Sequence, residues 1–212
     1  KQVKHPINAA YAVKTKSPHV MLSGAGAEEF AKEQGLEMVE DNMYFATPKT
    51  MEWIEKLKQE SKKNGTVGCV VLDKQGNLTA GTSTGGMFKK RWGRIGDSPV
   101  IGAGMYADNN SCAVSCTGHG EYFIRHAVAF DVCARYKYLK ESVEKAADYI
   151  IHTELNTNAG NGGLIAVDKL GNIAMPYNSG GMFRGFLYKE KGSPEIKKGC
   201  GIGKKIVVVG EK

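Results

Sequence analysis

The residues with the clearest potential for chemistry are Gly65 and Thr66, which join a lysine-rich, helix-like run to a strand of small and apolar residues. A threonine hydroxyl is a weak nucleophile, but the free backbone amine of an N-terminal threonine can act as its base. A preceding glycine permits a strained backbone that larger residues would not tolerate. Thr66 could then attack the Gly65 carbonyl, shift the peptide to an ester and let water complete the cut. The pair alone does not decide this, because a strand that starts after a turn explains it equally well.

A second group of hydroxyls follows at Thr82, Ser83 and Thr84, just before two glycines. Residues 67–72 and 78–84 read as the two strands of a hairpin joined by a polar, glycine-containing turn. The far end of the second strand then lies beside the start of the first. We therefore expect the Thr84 hydroxyl to lie close to Thr66.

The glycine-punctuated loop 91–99 carries opposite charges three residues apart, at Arg94 and Asp97. An arginine can bind a carboxylate through two parallel hydrogen bonds, and an aspartate can bind an ammonium group. Together they could hold the zwitterionic end of an amino acid. The alternative is a mutual surface salt bridge between the two side chains, which would contribute little.

A third candidate segment is Thr117-Gly118-His119-Gly120-Glu121, between a predicted strand and a predicted helix. Backbone N–H groups in such a segment can form an oxyanion hole or hold a carboxylate. An ordinary glycine turn is the alternative interpretation. We assign no catalytic role to His119.

The elements that must position these residues fall into a helical first part and a mixed second part. Before Thr66 the chain reads mainly helical, with Pro6 opening one helix, a short helix over 25–32, and a third helix that starts at Thr47-Pro48 and carries an apolar stripe at Met51, Ile54 and Leu57. After the hairpin we expect strands over 100–106 and 112–117. Helices are predicted over 121–137 and 142–153, the second with Ser142 as its cap.

Residues 66–88 and 161–183 align without a gap at an offset of 95. The alignment pairs Asp73 with Asp168 and predicts two similar hairpins in two facing sheets. At the positions of Thr66 and Thr84 the second copy has Asn161 and Ser179, so the hairpin itself does not require the threonine pair. The strands do not alternate regularly with helices, which argues against a doubly wound fold and favours an α+β sandwich of two sheets covered by helices.

Composition limits the function further. The 212 residues carry a net charge of +7, from 29 Lys and Arg against 22 Asp and Glu. We expect no nucleic-acid binding, because no basic segment is interleaved with aromatic residues. No apolar run is long enough for a membrane span, and no signal segment is recognised. Five cysteines without close pairs indicate free thiols in a reducing compartment, and we expect a cytoplasmic protein.

Taken in order, the motifs resemble those of the plant-type L-asparaginase and isoaspartyl aminopeptidase family. They are GTVGCVVLD, TSTGGM, GRIGDSPVIGAG, CTGHGE, GGLIAVD and GGMFRG, and the resemblance runs from about Lys1 to about Phe186. Members of that family are N-terminal-nucleophile hydrolases with a four-layer αββα sandwich. The resemblance therefore implies hydrolysis of the side-chain amide of L-asparagine or of β-aspartyl (isoaspartyl) peptides.

The resemblance also implies a role for each candidate residue. Thr66 would be the nucleophile released by self-cleavage after Gly65, with Thr84 supporting its hydroxyl and amine. Arg94 would hold the substrate α-carboxylate, and Asp97 the α-amine. Thr117 and Gly118 would form the oxyanion hole, and Gly120 would add a backbone contact to the substrate.

The same resemblance predicts one structural domain cut into two parts, an α part over 1–65 and a β part over 66–212. It predicts a homodimer of cleaved units and no catalytic metal or cofactor. A further N-terminal region of roughly ninety residues, with a structural sodium loop, would precede Lys1 in such proteins. Gly180 departs from the family pattern, which has an acidic residue there.

Two alternatives stay open. One is the glycosylasparaginase branch, which acts on glycosylated asparagine but usually has Asp before the nucleophile, where this chain has Gly65. The other is an inactive, truncated relative that serves as an interaction domain.

Overall fold

The computed structural model describes residues 2–48, 51–52, 65–189, 196–201 and 207–210. The chain forms two compact units, Lys1–Asn64 and Gly65–Lys212, which we describe separately. Within the described residues no helix is long and apolar enough to cross a membrane.

Among its described residues, the first unit has two complete α-helices, a short 3-10 turn, and the helical residues Pro48, Met51 and Glu52. Helix α1 spans Pro6–Lys16 with the proline in its first turn, and α2 spans Gly24–Glu33, so both predicted helices are confirmed. The 3-10 turn Asn42–Phe45 is capped by Asp41. Of the third predicted helix, Ile54 and Leu57 lie outside the described residues.

The second unit opens with the predicted hairpin. Strands β1 (Thr66–Leu72) and β2 (Leu78–Thr84) pair antiparallel along their whole length and form a two-stranded sheet. Asp73 closes the turn, because one of its carboxylate oxygens accepts the backbone N–H groups of Gln75 and Asn77 at 2.8 and 2.7 Å. This local bonding fixes the register that brings the two ends of the hairpin together.

A four-stranded antiparallel sheet follows, in the order β3-β4-β5-β6. Its strands are Met105–Ala107, Cys112–Gly118, Gly162–Asp168 and Ile173–Ala174. The predicted strand over 100–106 was wrong over most of its length. Tight turns hold residues 100–104, with Gly102 at φ 90° and the Gly104 N–H bound to the Val100 carbonyl, so only the last residues pair with β4.

The second copy of the repeat has the predicted turn, but the strand after that turn is shorter than the alignment predicts. Asp168 accepts the backbone N–H groups of Leu170 and Asn172 at 2.8 and 2.9 Å, as Asp73 does in the first hairpin. Strand β6 is much shorter than β2, because Pro176 occupies the position of Gly81 and has no N–H to donate to a ladder.

The hairpin packs on one face of the four-stranded sheet and helices pack on the other. Alternate residues of β4 show this division, since Cys112, Val114 and Cys116 belong to the core shared with the helices, whereas Ala113 packs against β1 and β2. The two hairpins therefore lie in facing sheets, as predicted. The second unit therefore has mixed helices and antiparallel sheets, and in its described residues the hairpin, the four-stranded sheet and the helices stack in that order.

The helical layer is α3 (Gly120–Arg125), α4 (Val128–Tyr138), α5 (Val143–Tyr149), a π-helical turn (Ile150–Glu154) and α6 (Leu155–Thr157). The prediction of one helix over 121–137 was wrong, because Ala127 is left-handed, at φ 47°, and separates α3 from α4. The Ser142 cap is confirmed, since its hydroxyl accepts the Lys145 N–H.

A third antiparallel sheet ends the described part of the chain. Its strands are β7 (Arg184–Lys189), β8 (Ile196–Gly201) and β9 (Val207–Gly210), paired in sequence order.

Candidate active site

Thr66 and Thr84 lie opposite each other at the open end of the hairpin, as the sequence predicts. The Thr66 hydroxyl donates to the Thr84 hydroxyl oxygen at 3.3 Å, and the Thr84 hydroxyl donates to the Gly65 carbonyl oxygen at 2.9 Å. The Gly86 N–H donates to the same Thr84 oxygen at 3.0 Å. One hydrogen-bonded path therefore runs from the Thr66 hydroxyl to the carbonyl of the peptide bond that precedes it.

This arrangement joins a hydroxyl, a proton acceptor and a polarised carbonyl at one peptide bond. A hydroxyl that donates to a carbonyl oxygen draws electron density from the carbon and stabilises negative charge there during attack. A β-carbon built on Gly65 would meet no described atom within 4 Å, so the described contacts give this glycine no steric role.

Contacts that the sequence did not indicate hold the hairpin on the four-stranded sheet. The Thr82 and Ser115 hydroxyl oxygens lie 2.7 Å apart, and the Thr82 hydroxyl also donates to the Gly104 carbonyl. Gly68 packs directly over Ser115, so that a β-carbon there would lie 2.9 Å from the Ser115 Cβ and closer still to its hydroxyl. From the sequence, Thr82 was expected only as a member of a hydroxyl cluster, and no pattern indicated a role for Ser115.

Strand geometry directs Thr117 toward the hairpin. Ser115 contacts the hairpin, and alternate residues of a strand share a face, so Thr117 is on that side of β4. Gly68 lies over Ser115, while Val70 and Leu72 pack near Ala113, so β1 runs opposite to β4. Thr66, two residues before Gly68, therefore lies toward the end of β4 that carries Thr117.

Gly118 ends β4 in a conformation that requires glycine. Its φ is 152°, and an added β-carbon would lie 2.8 Å from the Gly162 Cα and 2.7 Å from the Phe123 ring. The strand β5 can therefore approach it closely, and the His119 N–H is fixed on the Asn161 carbonyl at 3.0 Å. These backbone contacts hold the Thr117-Gly118 segment against the start of β5.

Arg94 pairs with Glu121 and not with Asp97. Its Nε and Nη2 donate to the two Glu121 carboxylate oxygens at 2.8 Å each. Hydrogen bonding to Arg94 lowers the pKa of Glu121 to about 2, and the same bonds raise the pKa of Arg94. Within the described part of the chain, the surface salt bridge proposed between Arg94 and Asp97 is absent.

Glu121 is a residue of the candidate site that sequence reasoning missed. It appeared there only as the last residue of the glycine segment and as part of a helix. Its spacing of 27 residues from Arg94 offers no local pattern that would pair the two side chains.

Asp97 is a buried carboxylate with an unused oxygen. The residue is 6% exposed, and its Oδ2 is buried without a hydrogen-bond partner among the described residues. Burial raises the pKa of Asp97, because the charged form has lost its water. A cation that approached Oδ2 would relieve this penalty.

Gly120 brings the two charged side chains together. A β-carbon built on it would lie 2.7 Å from Asp97 Oδ1 and 3.0 Å from Arg94 Nη2. Both side chains therefore reach the same bare stretch of backbone, as a site for a zwitterion requires. By contrast, a β-carbon on Gly180 would meet open space, so the structure gives that departure no steric role.

The sequence model of a family described as Asparaginase matches residues 1–196. The chain belongs to this asparaginase family. Among its relatives, the isoaspartyl peptidase of Salmonella typhimurium is 46% identical over 200 residues, which cover 88% of this chain and 64% of that protein. The isoaspartyl peptidase of Escherichia coli is 42% identical over 213 residues, covering 90% of this chain and 66% of that protein.

A plant member of the family gives the same result. The probable isoaspartyl peptidase/L-asparaginase 2 of Arabidopsis thaliana is 42% identical over 215 residues, covering 86% of this chain and 65% of that protein. The chain thus spans slightly less than two thirds of the length of these asparaginase-family relatives.

Proposed function

We propose that this protein is a threonine-nucleophile amidohydrolase that cleaves itself between Gly65 and Thr66 and then hydrolyses the side-chain amide of L-asparagine or β-aspartyl peptides. The observation that carries the proposal is the hydrogen-bonded path from the Thr66 hydroxyl through Thr84 to the Gly65 carbonyl. The names of its relatives, isoaspartyl peptidase and L-asparaginase, supply the substrate class.

Self-cleavage is a transfer of the Gly65 acyl group within one peptide unit. The Thr66 oxygen attacks the Gly65 carbonyl carbon as its proton passes to the Thr84 oxygen and the Thr84 hydroxyl proton passes to the carbonyl oxygen. The C–N bond then breaks as that proton moves on to the nitrogen, which leaves as the Thr66 amine, and the acyl group is held as an ester on the Thr66 oxygen. Water hydrolyses the ester and releases a carboxylate at Gly65 with a free amine on Thr66.

In the cleaved protein, the Thr66 amine is the base for its own hydroxyl. Thr66 attacks the side-chain amide carbon of the substrate, and the leaving group is ammonia or, from a β-aspartyl peptide, the amine of the amino acid or peptide that follows the β-aspartyl residue. Water then hydrolyses the β-aspartyl ester and regenerates Thr66. Thr117 and Gly118 would stabilise the oxyanion, which agrees with their placement on the hairpin side of β4.

Substrate binding follows from the charges beside Gly120. Arg94 would bind the α-carboxylate, and the buried Asp97 oxygen without a partner would accept the α-ammonium. The Gly120 backbone lies between the two, where it could contact the same carboxylate. An L-α-amino acid linked through its β-carboxyl group satisfies both charges.

Three further expectations belong to the same proposal. The fold would be a four-layer αββα sandwich, which agrees with the stacking of the hairpin, the four-stranded sheet and the helices in the second unit. Cleavage would leave an α part over 1–65 and a β part over 66–212, assembled as a homodimer that needs no catalytic metal or cofactor. The five free thiols suit the reducing cytoplasm.

The test is ammonia release from L-asparagine, and amino-acid release from a β-aspartyl dipeptide, by the purified protein after incubation. Arg94→Ala should abolish both reactions and leave self-cleavage largely intact. Arg91→Ala is the matched control, since Arg91 lies exposed in the same loop. Equal activity in Arg94→Ala would remove Arg94 from the site, and a wild-type protein inactive on both substrates would contradict the proposed function.

A further inference from the structure

We propose that Glu121 is a positioning residue, which holds the Arg94 guanidinium so that its outer edge receives the substrate α-carboxylate. This inference rests on the proposed function and adds to it a determinant of substrate affinity. Its basis is the two-point pairing of Glu121 with Arg94 beside the glycine backbone of the site.

The pairing with Glu121 uses one edge of the Arg94 guanidinium and leaves a second edge for a substrate carboxylate. An arginine has five N–H donors in a fixed plane, one on Nε and two on each terminal nitrogen. Glu121 takes one from Nε and one from Nη2, at 2.8 Å each, so three N–H groups remain on the Nη1 and Nη2 side. Two of these, one from each terminal nitrogen, can bind a second carboxylate in parallel.

Backbone on the other sides restrains the same guanidinium. A β-carbon on Gly96 would lie 2.7 Å from Arg94 Nη1, and one on Gly120 would lie 3.0 Å from Nη2. The side chain of Arg94 is therefore confined between two glycine backbones and the Glu121 carboxylate. Losing Glu121 would release the plane of the guanidinium while its charge stayed in place.

Two physical effects of Glu121 oppose each other. Its negative charge reduces the attraction of Arg94 for a carboxylate and also raises the pKa of Asp97, although burial is the larger cause of that shift. Its hydrogen bonds fix Arg94 before substrate arrives, which removes the cost of ordering a flexible side chain during binding. The two-point geometry at 2.8 Å favours the positioning effect, because two parallel hydrogen bonds fix the plane of the guanidinium and a nearby charge does not.

The test compares Glu121→Gln with Glu141→Gln in the cleaved protein. Glu141 makes the same kind of two-point pair with Arg135, at 2.9 and 3.3 Å, in the same unit. Both variants lose an ion pair of similar geometry, so their melting temperatures should fall by similar amounts. Only the Glu121 variant should change KM for L-asparagine, by about ten-fold upward, with kcat within about two-fold.

A substrate without the α-carboxylate separates positioning from general damage. The diamide of L-aspartic acid keeps the scissile side-chain amide and the α-ammonium but gives Arg94 no carboxylate. Its KM should not differ between Glu121→Gln and wild type.

The outcomes divide clearly. An unchanged or lowered KM for L-asparagine in Glu121→Gln overturns the inference, as does an equal rise for the diamide. KM does not depend on how many chains have been cleaved, so slower processing does not obscure it. If Glu121→Gln does not fold, the same measurements on Glu121→Asp decide, with the rise in KM expected there too. A wild-type protein without hydrolysis refutes the proposed function instead.

Discussion

Replacing Thr84 by valine removes one hydroxyl and little else from the hairpin. Valine has nearly the same shape as threonine and suits a strand, so β2 should stay paired with β1. The variant loses the donor that lies 2.9 Å from the Gly65 carbonyl oxygen and the acceptor that lies 3.3 Å from the Thr66 hydroxyl. We expect self-cleavage to slow strongly while the protein remains folded.

The distances indicate which loss matters more. A separation of 2.9 Å is within the range for a donor to a developing oxyanion, and removal of one such donor costs roughly 10²- to 10³-fold in rate. The 3.3 Å contact between the hydroxyls is longer than the usual O–H···O distance and is the weaker bond. Thr84 is exposed, so water partly replaces it, and we expect a slowing of about 100-fold, at the lower end of the range.

The assay follows loss of the intact chain on denaturing gels over time. Thr84→Ser, which keeps the hydroxyl, is the matched control and should cleave within about ten-fold of wild type. The reasoning is refuted if Thr84→Val cleaves at the wild-type rate, or if Thr84→Ser is as slow as Thr84→Val. Circular dichroism of both variants checks that the fold is retained.

Two further predictions concern packing and charge. Gly68→Ala should lower the free energy of unfolding by about 1–3 kcal/mol in urea titrations, because its methyl group collides with Ser115, whereas Gly81→Ala, with open space, should not destabilise. A destabilisation shared equally by both would contradict this packing. Asp97→Asn should be more stable than wild type at neutral pH, because burial raises the pKa of Asp97 and penalises its charged form. Protonation of Asp97 stabilises the wild-type fold as pH falls through that raised pKa. The stability advantage of Asp97→Asn should therefore shrink in acid. A stability advantage that grows in acid would contradict a raised pKa at Asp97.

Local sequence patterns correctly predicted the turns whose hydrogen bonds join residues close together in the chain. The aligned aspartates Asp73 and Asp168 predicted two like turns, and both close the same hydrogen bonds. The helix over 121–137 failed because its apolar pattern continues through Ala127, where the backbone turns left-handed. Nothing in the residue types around Ala127 signals that break.

The contacts of the candidate site were likewise predictable only where local structure determines them. Hairpin register alone placed Thr84 against Thr66, since a turn of fixed length determines which residues face each other. The pairing of Arg94 with Glu121, and of Thr82 with Ser115, depends on how distant segments pack, and residue spacing carries no information on it. The roles of Arg94 and Asp97 came from charge chemistry and family resemblance, and not from a predicted contact.

The most direct test of the account is the intact mass and N-terminal sequence of the purified protein after incubation. The account predicts that the chain splits into 1–65 and 66–212, with a new N-terminus reading Thr66-Val67-Gly68, and that Thr66→Ala stays whole. A wild-type protein that remains one chain, or a Thr66→Ala variant that is cut equally well, would contradict the claim that Thr66 is a nucleophile released by its own attack on Gly65.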